Sequence, residues 1–203
     1  MAKIKKAFFC QNCGTQHSQW QGKCNGCKEW NTLSEEILSR KIEKEWTVDE
    51  KTKVSKPVRM DAIKVDSIPK IKTGDDELDR VLGGGLVPGV VVLLGGEPGI
   101  GKSTLLLQVA LQQRMKVLYV SGEESQQQIK LRATRMGLAE DNCFVLSETE
   151  TQSIFHQLQK IEPQLLIIDS IQTLHSNHIE SGAGTVSQIR TSAAELIQYA
   201  KTT

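Results

Sequence analysis

The sequence predicts an α/β fold, with helices on both faces of a parallel β-sheet, preceded by a small cysteine-rich module. Two observations lead to this prediction. From about residue 73 onwards, short apolar runs alternate with stretches of helical periodicity, and four of the five cysteines fall within the first 27 residues. Strands that alternate with helices pair in parallel through right-handed crossovers. A chain of 203 residues can bury one sizeable core and carry one small module.

Composition divides the chain into three parts. Residues 1–33 are rich in Cys, Gly, Asn and Gln and poor in aliphatic residues. They cannot form a hydrophobic core unaided, so they need a cross-link to fold. Residues 34–57 are charged and show little periodicity, which predicts a linker. Residues 58–203 carry the strand and helix patterns of the α/β core.

Charge and hydropathy exclude several classes of protein. The net charge is +1, so a nucleic-acid partner would have to be held by local patches. No apolar stretch approaches membrane-spanning length, and the run before Cys10 is too short for a secretory signal. We therefore expect a cytoplasmic protein with no membrane partner. In that reducing compartment, cysteines are expected as thiols or metal ligands.

Local patterns predict the elements of the core. Residues Thr73–Asp76 match a capping box at the start of a helix that Gly83–Gly85 ends. Apolar runs predict buried strands, and helical stretches lie between the later ones. These predicted strands are Val90–Leu94, Val117–Val120, Phe144–Leu146 and Leu165–Ile168.

A phosphate-binding loop is the most specific motif. Two glycines with four residues between them precede Lys and a hydroxyl residue. The glycines let several amides point at the phosphates, Lys102 adds a positive charge, and the Ser103 hydroxyl is a ligand for Mg²⁺. The helix that follows turns its positive end to the same phosphates. The loop, which predicts a nucleoside triphosphate bound with Mg²⁺, consists of Gly96, Glu97, Pro98, Gly99, Ile100, Gly101, Lys102 and Ser103.

Acidic residues follow two of the predicted strands. Asp169 comes directly after Leu165–Ile168, which would place it at the carboxyl edge of the sheet as the second Mg²⁺-associated group. Glu123 and Glu124 follow Val117–Val120 and reach the same edge, where one can activate water. We prefer Glu123 as the catalytic acid, with Lys102 and Asp169 completing the catalytic set. The alternative is that the two glutamates simply begin the next helix.

Four cysteines form two knuckles. Cys10 and Cys13 are separated by ten residues from Cys24 and Cys27, a spacing typical of a tetrahedral four-thiolate Zn²⁺ site. Such a site is structural because the protein occupies every coordination position. Trp20 and Trp30 flank the second knuckle; they are expected to pack over the zinc site, with stacking on bases as the alternative. We expect His17, in the loop between the knuckles, to be solvated.

The order of the motifs resembles a known family. The cysteine ribbon is followed by Leu78-Asp-Arg-Val-Leu-Gly-Gly-Gly85, by the phosphate loop with Thr104, by Tyr119-Val-Ser-Gly-Glu-Glu-Ser125, by Ile167-Ile-Asp-Ser-Ile-Gln-Thr173 and by Val186-Ser-Gln-Ile-Arg190. In this order they resemble the RadA (Sms) family of bacterial DNA repair proteins, over essentially the whole chain. The resemblance implies a RecA-like P-loop NTPase core, an ATP-binding site from Gly96 to Thr104, Asp169 as the metal-associated acid and Glu123 as the water-activating glutamate.

The same resemblance implies a function and partners. It implies a DNA-dependent ATPase of recombinational repair, a translocase or branch-migration factor that acts on single-stranded or branched DNA. It also implies a RecA-type recombinase as a protein partner and a homo-oligomeric ring when the protein is full length. Residues 174–186 would form a mobile loop that faces DNA, although they hold little basic charge. His175 and His178 in that loop are expected to be solvated.

The chain departs from the family pattern in three ways. Ala183-Gly184-Thr185 stands where the family has Pro-Gly-Ser, and Thr191 stands where a charged residue is usual. The chain ends at Thr203, whereas the family continues through further strands and a Lon-like domain. We therefore expect an N-terminal fragment whose ATPase core is incomplete at the C-terminus.

Two other functions remain open from the sequence. One is a small-molecule kinase in which the zinc knuckles cover the site, although a kinase lid would be inserted after the phosphate loop. The other is a nucleotide-dependent switch that binds DNA or protein with little turnover, which the candidate water-activating Glu123 disfavours.

Overall fold

The fold comprises a parallel sheet with helices on both faces and an antiparallel sheet formed mainly by N-terminal residues. The computed structural model describes residues 5–38, 57–62, 69–138 and 141–202. The strands are β1 (Lys5–Cys10), β2 (Gln16–His17), β3 (Leu33–Leu38), β4 (Val117–Ser121), β5 (Cys143–Ser147), β6 (Leu165–Asp169) and β7 (Ile179–Glu180). The helices are α1 (Asp76–Val81), α2 (Lys102–Leu111), α3 (Gln126–Met136), α4 (Thr151–Ile161) and α5 (Val186–Thr202), with 3₁₀ turns at Met60–Ala62 and Ile171–Thr173.

The parallel sheet has the strand order β5-β4-β6. Its register places Ser121 opposite both Ser147 and Asp169, so the three strands end at one level. All of β4 is buried, as expected for a central strand covered on both faces. The sequence predicted these three strands, and the parallel α/β sheet is confirmed.

Side chains of β4 alternate between two hydrophobic clusters because successive residues of a strand point to opposite faces. Val117 and Tyr119 pack with residues of α2 and α3 on one face. Leu118 and Val120 pack with α4 and residues of α5 on the other. The core therefore lies in two layers around the sheet, and α2 is held where its N-terminus faces the end of β6.

The run Val90–Leu94 is not the buried strand that we predicted. Residues 90–97 have no regular structure, and Leu93 is 84% exposed. A strand needs a neighbour to pair its amides and carbonyls, and β6 pairs only with β4 in the described part of the chain. The phosphate loop is therefore followed by a helix, as predicted, but not preceded by a strand.

The cap of α1 is also displaced from its predicted position. Asp75, not Thr73, is the N-cap, and its carboxylate accepts a hydrogen bond from the Leu78 amide at 2.8 Å. Thr73 is fully buried, and its amide and hydroxyl both donate to Asp79 Oδ1 at 2.9 Å. These bonds engage Thr73 with the second turn of the helix, which leaves Asp75 to cap it.

The N-terminal module forms an antiparallel sheet in the order β2-β1-β3-β7. Strand β3 extends to Leu38 and so enters the segment predicted as a linker, whose residues 39–56 lie outside the described residues. Strand β7 comes from the core, and it pairs with the end of β3. Arg190 at the start of α5 adds a hydrogen bond from Nη1 to the Gly14 carbonyl at 2.8 Å. Strand pairing and this bond join the two parts of the molecule.

Among the described helices, none has both the length and the apolar character that crossing a bilayer requires.

Candidate functional site

The predicted phosphate loop leads directly into α2. Gly99 and Gly101 have φ angles of 77° and 101°, a left-handed conformation that glycine adopts without strain. Gly101 is the N-cap of α2, and among the described residues no side chain caps the helix there. The first amides of a helix lack intrahelical partners, so this N-terminus can donate them to an anion.

Lys102 lies against the loop that it follows. Its Nζ donates to the carbonyls of Gly96 and Glu97, at 2.9 and 2.7 Å. The ammonium group is therefore held beside the backbone of the loop, where phosphates would approach. This geometry fits the role predicted for Lys102.

Ser103 and Asp169 meet although 66 residues separate them in the sequence. The Ser103 hydroxyl donates to Asp169 Oδ1 at 3.0 Å. Asp169, which was predicted to follow this strand directly, is the last residue of β6, so the carboxyl edge of the sheet faces the start of α2. Mg²⁺ prefers hard oxygen ligands and keeps several of its waters, which can donate hydrogen bonds to a carboxylate. The pair therefore fits a magnesium ion that accompanies a bound triphosphate.

Tyr119 is a member of this site that the sequence analysis missed. The residue is fully buried in β4, and its hydroxyl donates to Asp169 Oδ2 at 2.6 Å. Burial and then the hydrogen bond to Asp169 raise its pKa, so the phenol keeps its proton at neutral pH. The signal that could have found it is the polar tip of a tyrosine within a buried strand, because that hydroxyl must find a partner.

The neighbouring glutamates have different environments. Glu124 forms an ion pair with Arg132, with Nη1 and Oε1 separated by 2.9 Å. Glu123 is exposed, and its carboxylate accepts a hydrogen bond from the Ser170 hydroxyl at 3.1 Å. Ser170 follows Asp169, so Glu123 is connected to the end of β6. Glu123 is thus the one whose carboxylate is not engaged in an ion pair with a described residue, which fits the role preferred for it.

Residues 174–186, predicted as a mobile loop, are held by buried polar contacts. Gln188 of α5 accepts from the Ser176 amide at 2.8 Å and donates back to its carbonyl at 3.2 Å. The Ser176 hydroxyl donates to the buried Glu195 at 2.7 Å. The expectation that His178 is solvated is wrong, because its Nε2 lies 3.3 Å from Glu195 Oε1 and its side chain is only 17% exposed.

The four cysteines of the N-terminal module converge as predicted. Their Sγ atoms all lie within 4.8 Å of one another, and the pairs Cys10–Cys27 and Cys13–Cys24 are each 3.6 Å apart. A tetrahedral zinc ion with Zn–S bonds of about 2.3 Å separates its sulfurs by about 3.8 Å. The arrangement therefore fits one Zn²⁺ with four thiolate ligands.

The surroundings of Cys10 favour the thiolate form. Burial would raise its pKa, but the Thr32 hydroxyl, 3.2 Å from Sγ, and the amides of Cys13 and Asn12 lower that pKa to about 6. The thiolate is the form that binds a metal. With a pKa of about 6, Cys10 is available in that form at neutral pH.

Two expectations about the neighbours of the cysteines were wrong. His17 is buried, with its Nε2 3.5 Å from Cys24 Sγ, because it lies in β2 and not in a solvated loop. Trp20 and Trp30 are 58% and 67% exposed, so neither is buried over the cysteine site. The Lys23 ammonium instead lies 5.6 Å from the centre of the Trp30 ring.

Both parts of the chain match known protein families. Residues 56–202 match the AAA domain family, and residues 8–35 match the rubredoxin metal binding domain. The chain is 46% identical over 210 residues to the DNA repair protein RadA of Bacillus subtilis. It is 45% identical to the protein of that name from Escherichia coli and 44% identical to that from Halalkalibacterium halodurans.

These alignments cover the whole chain but only part of the relatives. The chain spans 45% of the length of the Bacillus and Halalkalibacterium proteins and 46% of the Escherichia protein. The AAA match alone covers well over half of the chain and contains the phosphate loop, Glu123 and Asp169. The chain therefore belongs to the AAA domain family, with a four-cysteine zinc ribbon ahead of its P-loop ATPase domain.

Proposed function

We propose that this protein is a DNA-dependent ATPase of recombinational repair that uses ATP to translocate along DNA or to drive branch migration. The observation that carries the hydrolytic part is the meeting of Ser103, Asp169 and Glu123 at one edge of the parallel sheet. This edge is where ligands of open α/β sheets bind. The DNA repair name of the relatives supports the biological setting.

Each residue has a defined task in this proposal. The α2 amides and Lys102 would bind the phosphates, the Ser103 hydroxyl would ligate Mg²⁺, and Asp169 would hold its water shell. Bound ATP with Mg²⁺ supplies the phosphoryl group and the charge that these residues stabilise. Glu123 accepts the proton of the attacking water, while the Ser170 hydroxyl orients its carboxylate at 3.1 Å. Residues 96–104 together form the nucleotide cradle.

A matched pair of glutamate variants tests the catalytic assignment. Glu123→Gln should lower kcat by about 10²–10⁴-fold, the usual contribution of a general base, and leave ATP binding intact. Glu124→Gln is the control because it changes the adjacent acid, whose partner is Arg132. Phosphate release and nucleotide binding are measured for both variants. A larger kcat loss for Glu124→Gln would transfer the role to Glu124.

We further propose single-stranded or branched DNA as the activator, with residues 174–186 facing it. These residues lead into α5 and are joined to the zinc ribbon through β7, so DNA contacts there would reach both parts of the molecule. A homo-oligomeric ring, a RecA-type recombinase as partner and a cytoplasmic location complete the proposal.

The test of DNA dependence is steady-state phosphate release with and without single-stranded DNA. It is run on this chain and on a protein of the full length of the relatives. We expect stimulation in the longer protein. Equal rates with and without DNA would contradict the proposal, and transfer of phosphate to a small acceptor would favour a kinase.

A second candidate is a nucleotide-dependent switch with little turnover. The observation that favours it is the exposed run before the phosphate loop, where Leu93 is 84% exposed and where none of the described strands precedes the loop. Such a loop can bind nucleotide without holding the geometry that hydrolysis needs. Tight ATP binding, together with phosphate release no faster than that of Glu123→Gln, would favour the switch.

A further inference from the structure

The buried hydroxyl of Tyr119 lies beside the proposed magnesium site and has no role in the proposed hydrolysis itself. Tyr119 occupies the middle of β4 and pairs with Val145 on one side and Ile167 on the other. Its ring belongs to the hydrophobic cluster under α2 and α3. The ring is therefore fixed by packing, and only its hydroxyl reaches the edge of the sheet.

Both oxygens of Asp169 have assigned donors. Oδ2 accepts from the Tyr119 hydroxyl at 2.6 Å, and Oδ1 accepts from Ser103 at 3.0 Å. The terminal torsion of an aspartate is broad and roughly two-fold, so a carboxylate without such donors could rotate. The phenol prevents this rotation because it comes from a rigid strand and not from a loop.

The Tyr119 hydroxyl also has a hydrogen-bond donor on the side away from Asp169. Arg132 Nη2 donates to it at 3.4 Å, and Nη1 of the same guanidinium pairs with Glu124 at 2.9 Å. A continuous set of contacts thus runs from Ser103 through Asp169, Tyr119 and Arg132 to Glu124. It links the start of α2 with the segment that carries the candidate base.

We propose that Tyr119 is a positioning residue for the magnesium site, holding the Asp169 carboxylate so that Oδ1 faces Ser103 and the phosphate loop. This inference rests on the proposed binding of ATP with Mg²⁺. Groups that orient a metal-associated carboxylate typically contribute a factor of about 10–100 to metal affinity. Tyr119 acts through Asp169 and touches neither nucleotide nor metal in this scheme.

The test is the Mg²⁺ dependence of nucleotide binding, measured with a fluorescent ATP analogue. Tyr119→Phe keeps the ring and removes only the hydroxyl, so the core packing is preserved. Tyr199→Phe is the matched control, because Tyr199 is the chain's other tyrosine and packs on Phe155 in the opposite hydrophobic cluster. We expect Tyr119→Phe to raise the half-saturating Mg²⁺ concentration about tenfold. The control should stay within about twofold of the unmodified protein.

A double variant separates positioning from a general loss of stability. In an Asp169→Asn background the further change Tyr119→Phe should have little additional effect on the Mg²⁺ requirement, since the two residues act as one unit. Three results would overturn the inference: an unchanged Mg²⁺ requirement in Tyr119→Phe, a loss of nucleotide affinity that is equal without Mg²⁺, or additive effects in the double variant. Failure of the unmodified protein to respond to Mg²⁺ at all would contradict the proposed function instead.

Discussion

The zinc ribbon and the nucleotide site are built in opposite ways. All four thiolates of the ribbon come from one segment between Cys10 and Cys27, and the chain needs only two short knuckles to bring them together. The nucleotide site joins Ser103 with Asp169, which are 66 residues apart, through the register of a parallel sheet. This difference indicates that the folding of the ribbon depends on its metal ion. The geometry of the nucleotide site depends instead on the packing of the α/β core.

Removal of zinc should therefore have the largest effect, and only on one part of the molecule. Structural Zn²⁺ supplies about 10–16 kcal/mol of apparent binding free energy to small zinc-finger peptides, so Cys24→Ser or chelation should unfold the ribbon. Amide exchange in residues 5–38 should become fast, while residues 102–138 keep their protection. Metal analysis should find about one zinc per chain in the unmodified protein.

The control for this prediction is Cys143→Ser. Cys143 lies in β5 outside the four-cysteine cluster, and burial raises its pKa to about 11. This change should leave zinc content unaltered. A ribbon that stays protected after chelation would contradict the structural role, and loss of protection in residues 102–138 would show that the core depends on the metal too.

The second-largest effect is expected for a substitution in the nucleotide site. Lys102→Ala removes the charge beside the phosphate loop and should weaken nucleotide binding or turnover by about 10²–10³-fold, as loss of one electrostatic donor does. Lys116→Ala is the matched control because Lys116 precedes β4, at the opposite end of the strand from the site. Isothermal titration with ATP and Mg²⁺ measures both variants. An unchanged nucleotide affinity and turnover rate in Lys102→Ala would contradict the assignment of residues 96–103 as the phosphate-binding loop.

The same contrast explains what the sequence could predict. Cys10, Cys13, Cys24 and Cys27 converge as their spacing predicts, because all four ligands of this metal site lie within one short segment of the sequence. Asp169 reaches the expected edge of the sheet because it ends an apolar strand.

Other features depend on distant neighbours. Tyr119 was missed since its contact with Asp169 requires the register between β4 and β6. The strand predicted at Val90–Leu94 was wrong because an apolar run forms a strand only beside a partner, and none pairs with it among the described residues.

The smallest expected effect concerns the contact that joins the two parts. Arg190 donates to the Gly14 carbonyl at 2.8 Å, but its side chain is exposed, so the bond contributes about 1 kcal/mol or less. Arg190→Ala should therefore speed amide exchange in residues 5–17 by at most about fivefold and leave zinc content and ATP binding unchanged. Arg135→Ala, an exposed arginine near the end of α3, is the control.

The outcome decides how closely the ribbon and the ATPase domain are connected. If Arg190→Ala accelerates exchange in the ribbon and in β7 together, the side-chain bond and the pairing of β3 with β7 act as one joint. If exchange in both stays unchanged, the strand pairing alone holds the ribbon on the core. A rise confined to residues 5–17 would mean that Arg190 secures the Gly14 knuckle without supporting residues 174–186, which would leave the pairing of β3 with β7 as the contact between the ribbon and the proposed DNA-facing segment.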